Sequence, residues 1–134
     1  MRLADILPSE LNRPPSAEDT EIAAITADSR AVVPGALFAA LPGTRVDGMQ
    51  FIPDALRNGA VAILAPADAV LPETAVPVIR AADPHRALAL MAARLYPGQP
   101  ETAVAVTGTN GKTSVVEFTR QLYAALGRQA ASLG

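Results

Sequence analysis

The chain has 134 residues, of which half are hydrophobic, with few aromatics and no tryptophan. An aliphatic core is therefore expected, in one ordinary domain or in a small domain plus part of another. The net charge of −2, without a run of like charges, argues against a nucleic-acid partner, because phosphate-backbone binding needs clustered Lys and Arg. The absence of cysteine excludes disulfides, thiolate zinc sites and a cysteine nucleophile.

Neither a signal peptide nor a membrane span is predicted. Asp5 and Pro8 interrupt the apolar core that a signal peptide would need at the N-terminus. The longest apolar stretch, residues 59–71, is cut by Pro66 and Asp68 and is too short to cross a bilayer. We therefore expect a cytoplasmic protein.

Apolar runs and one-faced helical patterns alternate along the chain. A short first helix is expected over 3–7, followed by a Pro-rich loop over 11–21. Buried strands are predicted within 22–30 and over 36–41, 60–65, 76–81 and 103–108. Helices are predicted over 49–59 and 83–96, and over a last segment that ends at Gly127. This alternation predicts the α/β class, with a largely parallel or mixed sheet.

Two helix boundaries and one linker have clear signals. Asp83 is a suitable N-cap for the helix that Pro84 opens. The sequence PGQP, residues 97–100, is the clearest linker in the chain. The last helix is predicted to be amphipathic, because its apolar residues recur at spacings of three and four: Val115, Phe118, Leu122 and Leu126.

The sequence GTNGKTS, residues 108–114, lies between a predicted strand and a predicted helix. Backbone N–H groups at a helix N-terminus attract anions, and glycines let the chain curl close to phosphate oxygens. Lys112 would bring a positive charge to the β- and γ-phosphates, and the Thr113 hydroxyl is a suitable ligand for Mg²⁺. The candidate nucleotide-binding residues are Gly108, Thr109, Asn110, Gly111, Lys112, Thr113 and Ser114.

The spacing of this loop differs from the general phosphate-loop pattern, which has four residues between its glycines. Here only Thr109 and Asn110 intervene, and Val106 stands where an earlier glycine would be. The alternative is a tight turn that holds Lys and Thr by chance. The flanking strand and amphipathic helix favour nucleotide binding over this alternative.

The sequence VAVTGTNGKTS resembles the ATP loop of the Mur ligases, which add amino acids to the peptidoglycan precursor. The earlier segment, residues 25–64, is similar to the first domain of this family, with its D-S-R, P-G-x-L-F and D-G-x-x-F elements in the family's order. D-S-R together with G-T-N-G-K-T points to the member that adds the third residue. The next ligase of the pathway usually has D-T-R and a serine in place of Asn110, and it remains the alternative within the family.

The resemblance implies an activity, two cofactors and further site residues. ATP, with Mg²⁺, would phosphorylate the free carboxylate of UDP-N-acetylmuramoyl-L-alanyl-D-glutamate, and the amine of an amino acid, usually meso-diaminopimelate, would attack the acyl phosphate. Lys112 would be catalytic, because it offsets charge on the transferred phosphoryl group, and Thr113 would be a metal ligand. The UDP part of the substrate would contact residues carried over from the family: Ala27, Ser29, Thr44, Arg45 and Val46.

Simpler interpretations stand beside these assignments. Asp28-Ser29-Arg30 by itself is also typical of a self-bonded turn, Arg45 of a solvated charge, and His85 of a structural or exposed residue near a helix start. Three rival functions are a small P-loop kinase or GTPase, a nucleotide-binding module without chemistry, and a relative such as folylpolyglutamate synthase or cyanophycin synthetase. The first would need a longer glycine spacing and a downstream Mg²⁺-binding Asp, and the last would lack the D-S-R domain.

The resemblance also implies a domain organisation. Residues 1–82 would form a small UDP-binding α/β domain, and residues 83–134 would begin a P-loop ATPase α/β domain that continues in a longer protein. We expect the 134 residues alone to lack ligase activity. Their second part is expected to expose a sheet edge and an apolar helix face. The complete enzyme would be a monomer that binds small molecules, and the amino acid it adds is not encoded in these residues.

Overall fold

The computed structural model describes residues 1–43, 47–98 and 100–133. It divides the chain into two compact units, Met1–Gly98 and Gln99–Gly134. This division falls later than the predicted boundary after residue 82. The difference arises because the helix Pro84–Leu95, which the prediction placed in the second domain, packs on the sheet of the first unit.

The first unit is built on a sheet of four parallel strands in the order β1-β2-β3-β4. The α/β class and these four strands are therefore as predicted. A register shift at Ala36/Leu37, where β2 pairs with β3, marks the one irregularity of the described sheet. The strands are β1 (Ala24–Thr26), β2 (Ala36–Ala39), β3 (Ala60–Pro66) and β4 (Val78–Ala81).

The predicted helices form, with small changes at their ends. The Asp83 side chain accepts a hydrogen bond from the Arg86 N–H (2.9 Å) and caps its helix as predicted. Residues 49–59 begin as a 3-10 turn, and the α-helix itself starts beside Pro53. The α-helices are α1 (Leu3–Ile6), α2 (Ile52–Arg57), α3 (Pro84–Leu95) and α4 (Lys112–Ala125). The 3-10 turns are Pro15–Glu18, Ser29–Ala31 and Gly48–Phe51.

Both faces of the sheet are buried, because successive strand residues point to opposite sides. On one face Leu37 and Leu64 pack against α1 and α3. On the other face Phe38 and Ile63 pack against α2 and the connecting segments. All three crossovers between strands contribute residues to this second face. This is expected, because the strands follow one another in chain order and every crossover between parallel strands has the same hand.

Two glycines align the strand starts at the amino edge of the sheet. Gly35 and Gly59 have φ of +85° and +100°, which residues with a Cβ rarely adopt. The Gly35 N–H donates to the Gly59 carbonyl (3.0 Å), and the Gly35 carbonyl accepts from Ala23 N–H (2.9 Å). A Cβ on Gly59 would lie 2.9 Å from the Pro34 Cα. The Pro34-Gly35 turn therefore has a structural role.

The second unit consists of an extended segment, a glycine turn and α4. The strand predicted over 103–108 is wrong, because none of the described residues of this unit forms a strand. Its apolar alternation shows strand propensity, but a strand forms only when a partner supplies backbone hydrogen bonds. The predicted apolar helix face is confirmed, since Phe118 is 68% exposed and Leu122 is 61% exposed. No described helix is long and apolar enough to cross a membrane.

Candidate functional site

The turn before α4 has the backbone conformation that its glycines permit. Gly111 is the N-cap of α4 and has φ of +75°, in the left-handed region. Gly108 also has a positive φ, of +150°. The turn therefore depends on glycine at both positions because of backbone conformation. This local geometry places the N-terminus of α4 directly after the loop.

The first backbone amides of α4 are free to bind an anion. The first α-helical bond runs from the Val115 N–H to the Gly111 carbonyl (3.0 Å). Among the described residues, the N–H groups of Lys112, Thr113 and Ser114 have no hydrogen-bond acceptor. Three adjacent donors at the positive end of a helix dipole suit a phosphate group.

The Lys112 side chain lies over the same loop. Its ammonium group donates a hydrogen bond to the Gly108 carbonyl, so the lysine spans the turn from its last residue to its first. Every residue from 108 to 114 is exposed, and a ligand therefore has access to the amides and the ammonium. The structure thus brings together the seven residues predicted to bind ATP within one turn and the start of one helix.

In the first unit, Ala27 and Ser29 lie just after β1, at the carboxyl edge of the parallel sheet. Ligands of open α/β sheets commonly bind outside this edge. Ala27 is exposed, whereas Ser29 is the one polar residue that is buried among the described residues, at 9% exposure. Thr44, Arg45 and Val46, the other residues predicted to bind UDP, lie outside the described residues.

The Asp28-Ser29-Arg30 segment is a rigid turn. Asp28 Oδ1 accepts hydrogen bonds from the Arg30 N–H and Nε, both at 2.9 Å, and Oδ2 accepts from the Arg30 Nη2 at 2.7 Å. These bonds, above all those of the Arg30 guanidinium, lower the pKa of the Asp28 carboxyl from its ordinary 3.8 to about 2. The self-bonded turn that the sequence suggested does form. Binding of a ligand by Ser29 is compatible with it.

Asn58 is a contact that the sequence did not indicate. Its Nδ2 donates to the Ser29 carbonyl (2.9 Å) across 29 positions of the chain, from the C-terminal end of α2. The two residues share an open pocket of about 370 Å³ with Arg30, Asp54 and Arg57. The only sequence signal near Asn58 is the following Gly59, which marks a helix end and does not identify the partner of the amide.

The second predicted UDP loop leaves the same edge of the sheet, after β2. Its base is closed by a hydrogen bond from the Gly48 N–H to the Leu41 carbonyl (3.0 Å). A Cβ on Gly48 would come within 2.6 Å of that carbonyl oxygen, so this position requires glycine for lack of space. Asp47 Oδ1 accepts from the Met49 N–H (3.1 Å) and caps the next turn. The D-G pair therefore fixes the end of the loop.

The described residues contain no group of three or more His, Asp or Glu side chains that could hold a metal ion. Thr113 is exposed at the start of α4 and remains the predicted contributor of a metal ligand. His85 is exposed in the first turn of α3, in agreement with its interpretation as a structural or exposed residue.

Comparison with known proteins gives consistent matches. Residues 21–96 match the family described as "Mur ligase family, catalytic domain". A UDP-N-acetylmuramoyl-L-alanyl-D-glutamate–2,6-diaminopimelate ligase of Caulobacter vibrioides is 55% identical over 126 residues, which are 94% of this chain and 26% of the relative. The ligase of the same name from Brucella melitensis is 49% identical over 134 residues, which are 100% of this chain and 28% of the relative.

A solved structure is also similar. The crystal structure of the MurF ligase from Thermotoga maritima, in complex with ADP, matches with a TM-score of 0.58 and 33% identity, over 79% of this chain and 24% of that one. The chain spans about a quarter of the length of the curated relatives that it matches. Since the family match alone covers more than half of its residues, the chain belongs to the Mur ligase family.

Proposed function

We propose that the chain supplies the UDP-binding unit and the ATP loop of a ligase that joins 2,6-diaminopimelate to UDP-N-acetylmuramoyl-L-alanyl-D-glutamate. The observation that carries this proposal is the exposed turn over 108–114, which holds three backbone amides without an acceptor and the Lys112 ammonium. Relatives that are about half identical carry the corresponding name. We assign the activity to the cytoplasm and to a monomeric enzyme, as the resemblance implies.

The donor set of the loop fits the phosphates of ATP. The amides of Lys112, Thr113 and Ser114 would bind phosphate oxygens, and the glycine turn lets the backbone approach them closely. The Lys112 ammonium would exchange its bond to the Gly108 carbonyl for the β- and γ-phosphates. The ADP bound to the MurF ligase of Thermotoga maritima supports a nucleotide as the ligand.

Mg²⁺ fits this loop through the Thr113 hydroxyl. The ion commonly takes one or two protein oxygens, together with phosphate oxygens and waters. Thr113 would give the hydroxyl ligand, and no acidic cluster of the described residues competes for the ion. When bound, Mg²⁺ neutralises charge on the phosphates during transfer.

The chemistry that we propose is carboxylate activation. ATP supplies the γ-phosphoryl group to a substrate carboxylate, and the amine of the incoming amino acid displaces the phosphate to form an amide. Within this chain, Lys112 offsets the negative charge that develops on the transferred group. The helix dipole of α4 acts in the same direction, because its positive end meets the phosphates.

The UDP part of the substrate would bind at the carboxyl edge of the first unit. Ala27 is exposed there, and the Ser29 turn is held by Asp28, Arg30 and Asn58. A rigid turn loses little conformational freedom when it binds a ligand. Thr44, Arg45 and Val46 remain our candidates for the second side of the uridine nucleotide.

A chimeric enzyme tests the proposal. The segment of the Caulobacter vibrioides ligase that matches this chain is replaced by these 134 residues. We expect the chimera to add 2,6-diaminopimelate when ATP and the UDP-linked dipeptide are supplied. We also expect Lys112→Ala in the chimera to lower kcat by about 10²–10³-fold, which is the usual cost of one charge-stabilising group.

Arg128→Ala is the matched control, because Arg128 is an exposed cation beyond the end of α4. It should retain the activity of the parent chimera. A folded chimera that binds neither ATP nor the UDP-linked dipeptide would contradict the proposal. So would an active chimera in which Lys112→Ala and Arg128→Ala behave alike.

A further inference from the structure

The outer edge of β4 carries backbone groups that face away from the sheet. Ile63 N–H donates to the Pro77 carbonyl (3.0 Å), and Ala67 N–H donates to the Ala81 carbonyl (2.9 Å). The odd-numbered carbonyls of this segment therefore bond to β3. Because bonding directions alternate along a strand, the groups of Val78 and Arg80 point outward. An unprotected edge of this kind is a template for another strand.

A single side chain occupies this edge. Asn12 Oδ1 accepts a hydrogen bond from the Arg80 N–H (2.7 Å), and Asn12 Nδ2 donates to the Val78 carbonyl (3.2 Å). One residue of a parallel neighbouring strand would bond to these same two groups around Ile79. The Asn12 carboxamide therefore replaces one peptide group of a fifth strand, although Asn12 lies in the loop after α1.

Other groups along this edge are also blocked. The Thr74 hydroxyl donates to the Val76 carbonyl (3.0 Å), two residues before β4. The Arg80 guanidinium is bonded to the carbonyls of Ala67 and Ala69. Among the described residues, Asn12 is the only one whose side chain bonds to both a backbone donor and a backbone acceptor of β4.

We propose that Asn12 closes a strand-binding edge whose partner, once the edge is open, is β4 of a second copy of this chain. The argument is the geometry of the outward groups. An antiparallel pair centred on Ile79 would place Val78 of each copy opposite Arg80 of the other. Each such pair could then exchange two backbone hydrogen bonds. Two arginines would not face each other, and the same surface serves both copies, as a two-fold dimer requires.

The strand itself is suited to this pairing. Val78 and Ile79 are β-branched, and β4 contains no glycine or proline. Both copies would use the same residues of β4, so that no other component is needed. This inference concerns the first unit alone and does not depend on the proposed ligase activity.

Asn12→Ala tests the inference in the full 134-residue chain. In this variant the Val78 carbonyl and the Arg80 N–H bond to water, and a partner strand can replace that water. We therefore expect the apparent dissociation constant for dimers to fall by about tenfold or more relative to the wild type. Sedimentation equilibrium over a concentration series measures this. Amide exchange at Arg80 should be faster than wild type in dilute Asn12→Ala and protected again at high concentration.

Three further variants make the result specific. Asn110→Ala is the control, because it removes an asparagine from the second unit and should leave the dimer constant of the wild type unchanged. Its dimer constant gives the background association through α4, which is subtracted from that of the Asn12 variants. Asn12→Asp keeps the acceptor for Arg80 N–H and loses the donor, and it should give an intermediate constant even if the alanine variant folds poorly. Val78→Pro, added to Asn12→Ala, removes an outward N–H and should restore the wild-type constant.

Two results would overturn the proposal. The first is an unchanged dimer constant in both Asn12 variants. The second is association of Asn12→Ala that persists when Val78→Pro is present, because the contact would then not use the β4 edge.

Discussion

The two units of this chain use similar apolar patterns with opposite results. In the first unit Phe38, Ile63 and Leu64 are fully buried between helices and sheet. In the second unit Phe118, Leu122 and Leu126 form an equally regular stripe along α4, and each is more than 60% exposed. An amphipathic pattern specifies which face of a helix is apolar, but burial depends on a surface that receives it.

The strands lead to the same conclusion. Short runs such as Ala36–Ala39 become strands because a neighbour bonds to them on each side. The run over 103–107 is also largely apolar, but none of the described residues pairs with it. In the first unit, side chains also cover both outer edges of the sheet. The Asn12 amide bonds to β4, and the Tyr96 hydroxyl accepts a hydrogen bond from the Ile25 N–H of β1 (3.4 Å).

The largest difference between the units should appear when equivalent aromatics are truncated. Phe38→Ala is expected to lower the free energy of unfolding by about 3–5 kcal/mol, because it leaves a cavity between α2 and the sheet of the first unit. Phe118→Ala should change it by less than about 0.5 kcal/mol. Urea denaturation followed by far-UV circular dichroism measures both. Equal costs would contradict the contrast between the units.

A smaller effect is expected from glycines with different surroundings. Gly48→Ala forces a methyl group against the Leu41 carbonyl and should cost about 1–3 kcal/mol. Gly98→Ala is the control, because no atom outside its chain neighbours lies within 4 Å of its Cβ position. The same denaturation experiment compares them. A neutral Gly48→Ala would show that the base of the loop opens without cost.

The exposed stripe of α4 should promote association, and a charge within it should reduce this. Leu122→Lys is expected to lower the average mass at high concentration, with little change in helix content. Ala124→Lys adds the same charge on the opposite face of α4, where 100° per residue places it, and should have no comparable effect. Light scattering provides the measurement. A similar decrease in both variants would indicate a net-charge effect.

The smallest expected effects concern two exposed carboxylates, one in each unit. The Arg30 and Arg120 side chains lower the pKa of Asp28 and Glu117 to about 2, from 3.8 and 4.5. A carboxyl group with a lowered pKa stabilises the folded chain at pH values above its ordinary pKa, and this contribution is lost as the pH falls through about 2. The wild type should therefore have a larger free energy of unfolding than Asp28→Asn at pH 4, and this difference should disappear by pH 2.

Carboxyl carbon chemical shifts, followed by NMR through the same pH range, test both sites. Arg30→Gln should return the Asp28 midpoint towards its ordinary value, and Arg120→Gln should do the same for Glu117. A midpoint that does not move in either variant would contradict the ion-pair origin of the shift. An effect of Arg30→Gln on Glu117 would contradict the independence of the two sites.

Much of the first unit could be predicted because its signals are local. Asp83 marks a helix end through its side-chain cap, and Pro84 and Gly59 do so through their own backbone preferences. The glycine turn before α4 was equally predictable, since its spacing and flanking residues act within one short segment. In such cases the residue and its structural effect are neighbours in the sequence.

Contacts between distant segments could not be predicted in this way. Asn12 with β4 and Asn58 with Ser29 join residues that are far apart in the chain, and an exposed asparagine carries no pattern of its own. The compact units divide the chain later than the predicted domain boundary for a related reason. The PGQP linker was recognised, but the packing of α3 on the first sheet depends on contacts with α1.

The backbone clasp between Leu41 and Gly48 has a practical consequence for engineering. This backbone hydrogen bond joins the two ends of the segment, and no side chain from within the segment contributes to it. Libraries that randomise positions 44–46 should therefore keep this hydrogen bond, and they would test our proposal that these positions contact the uridine nucleotide.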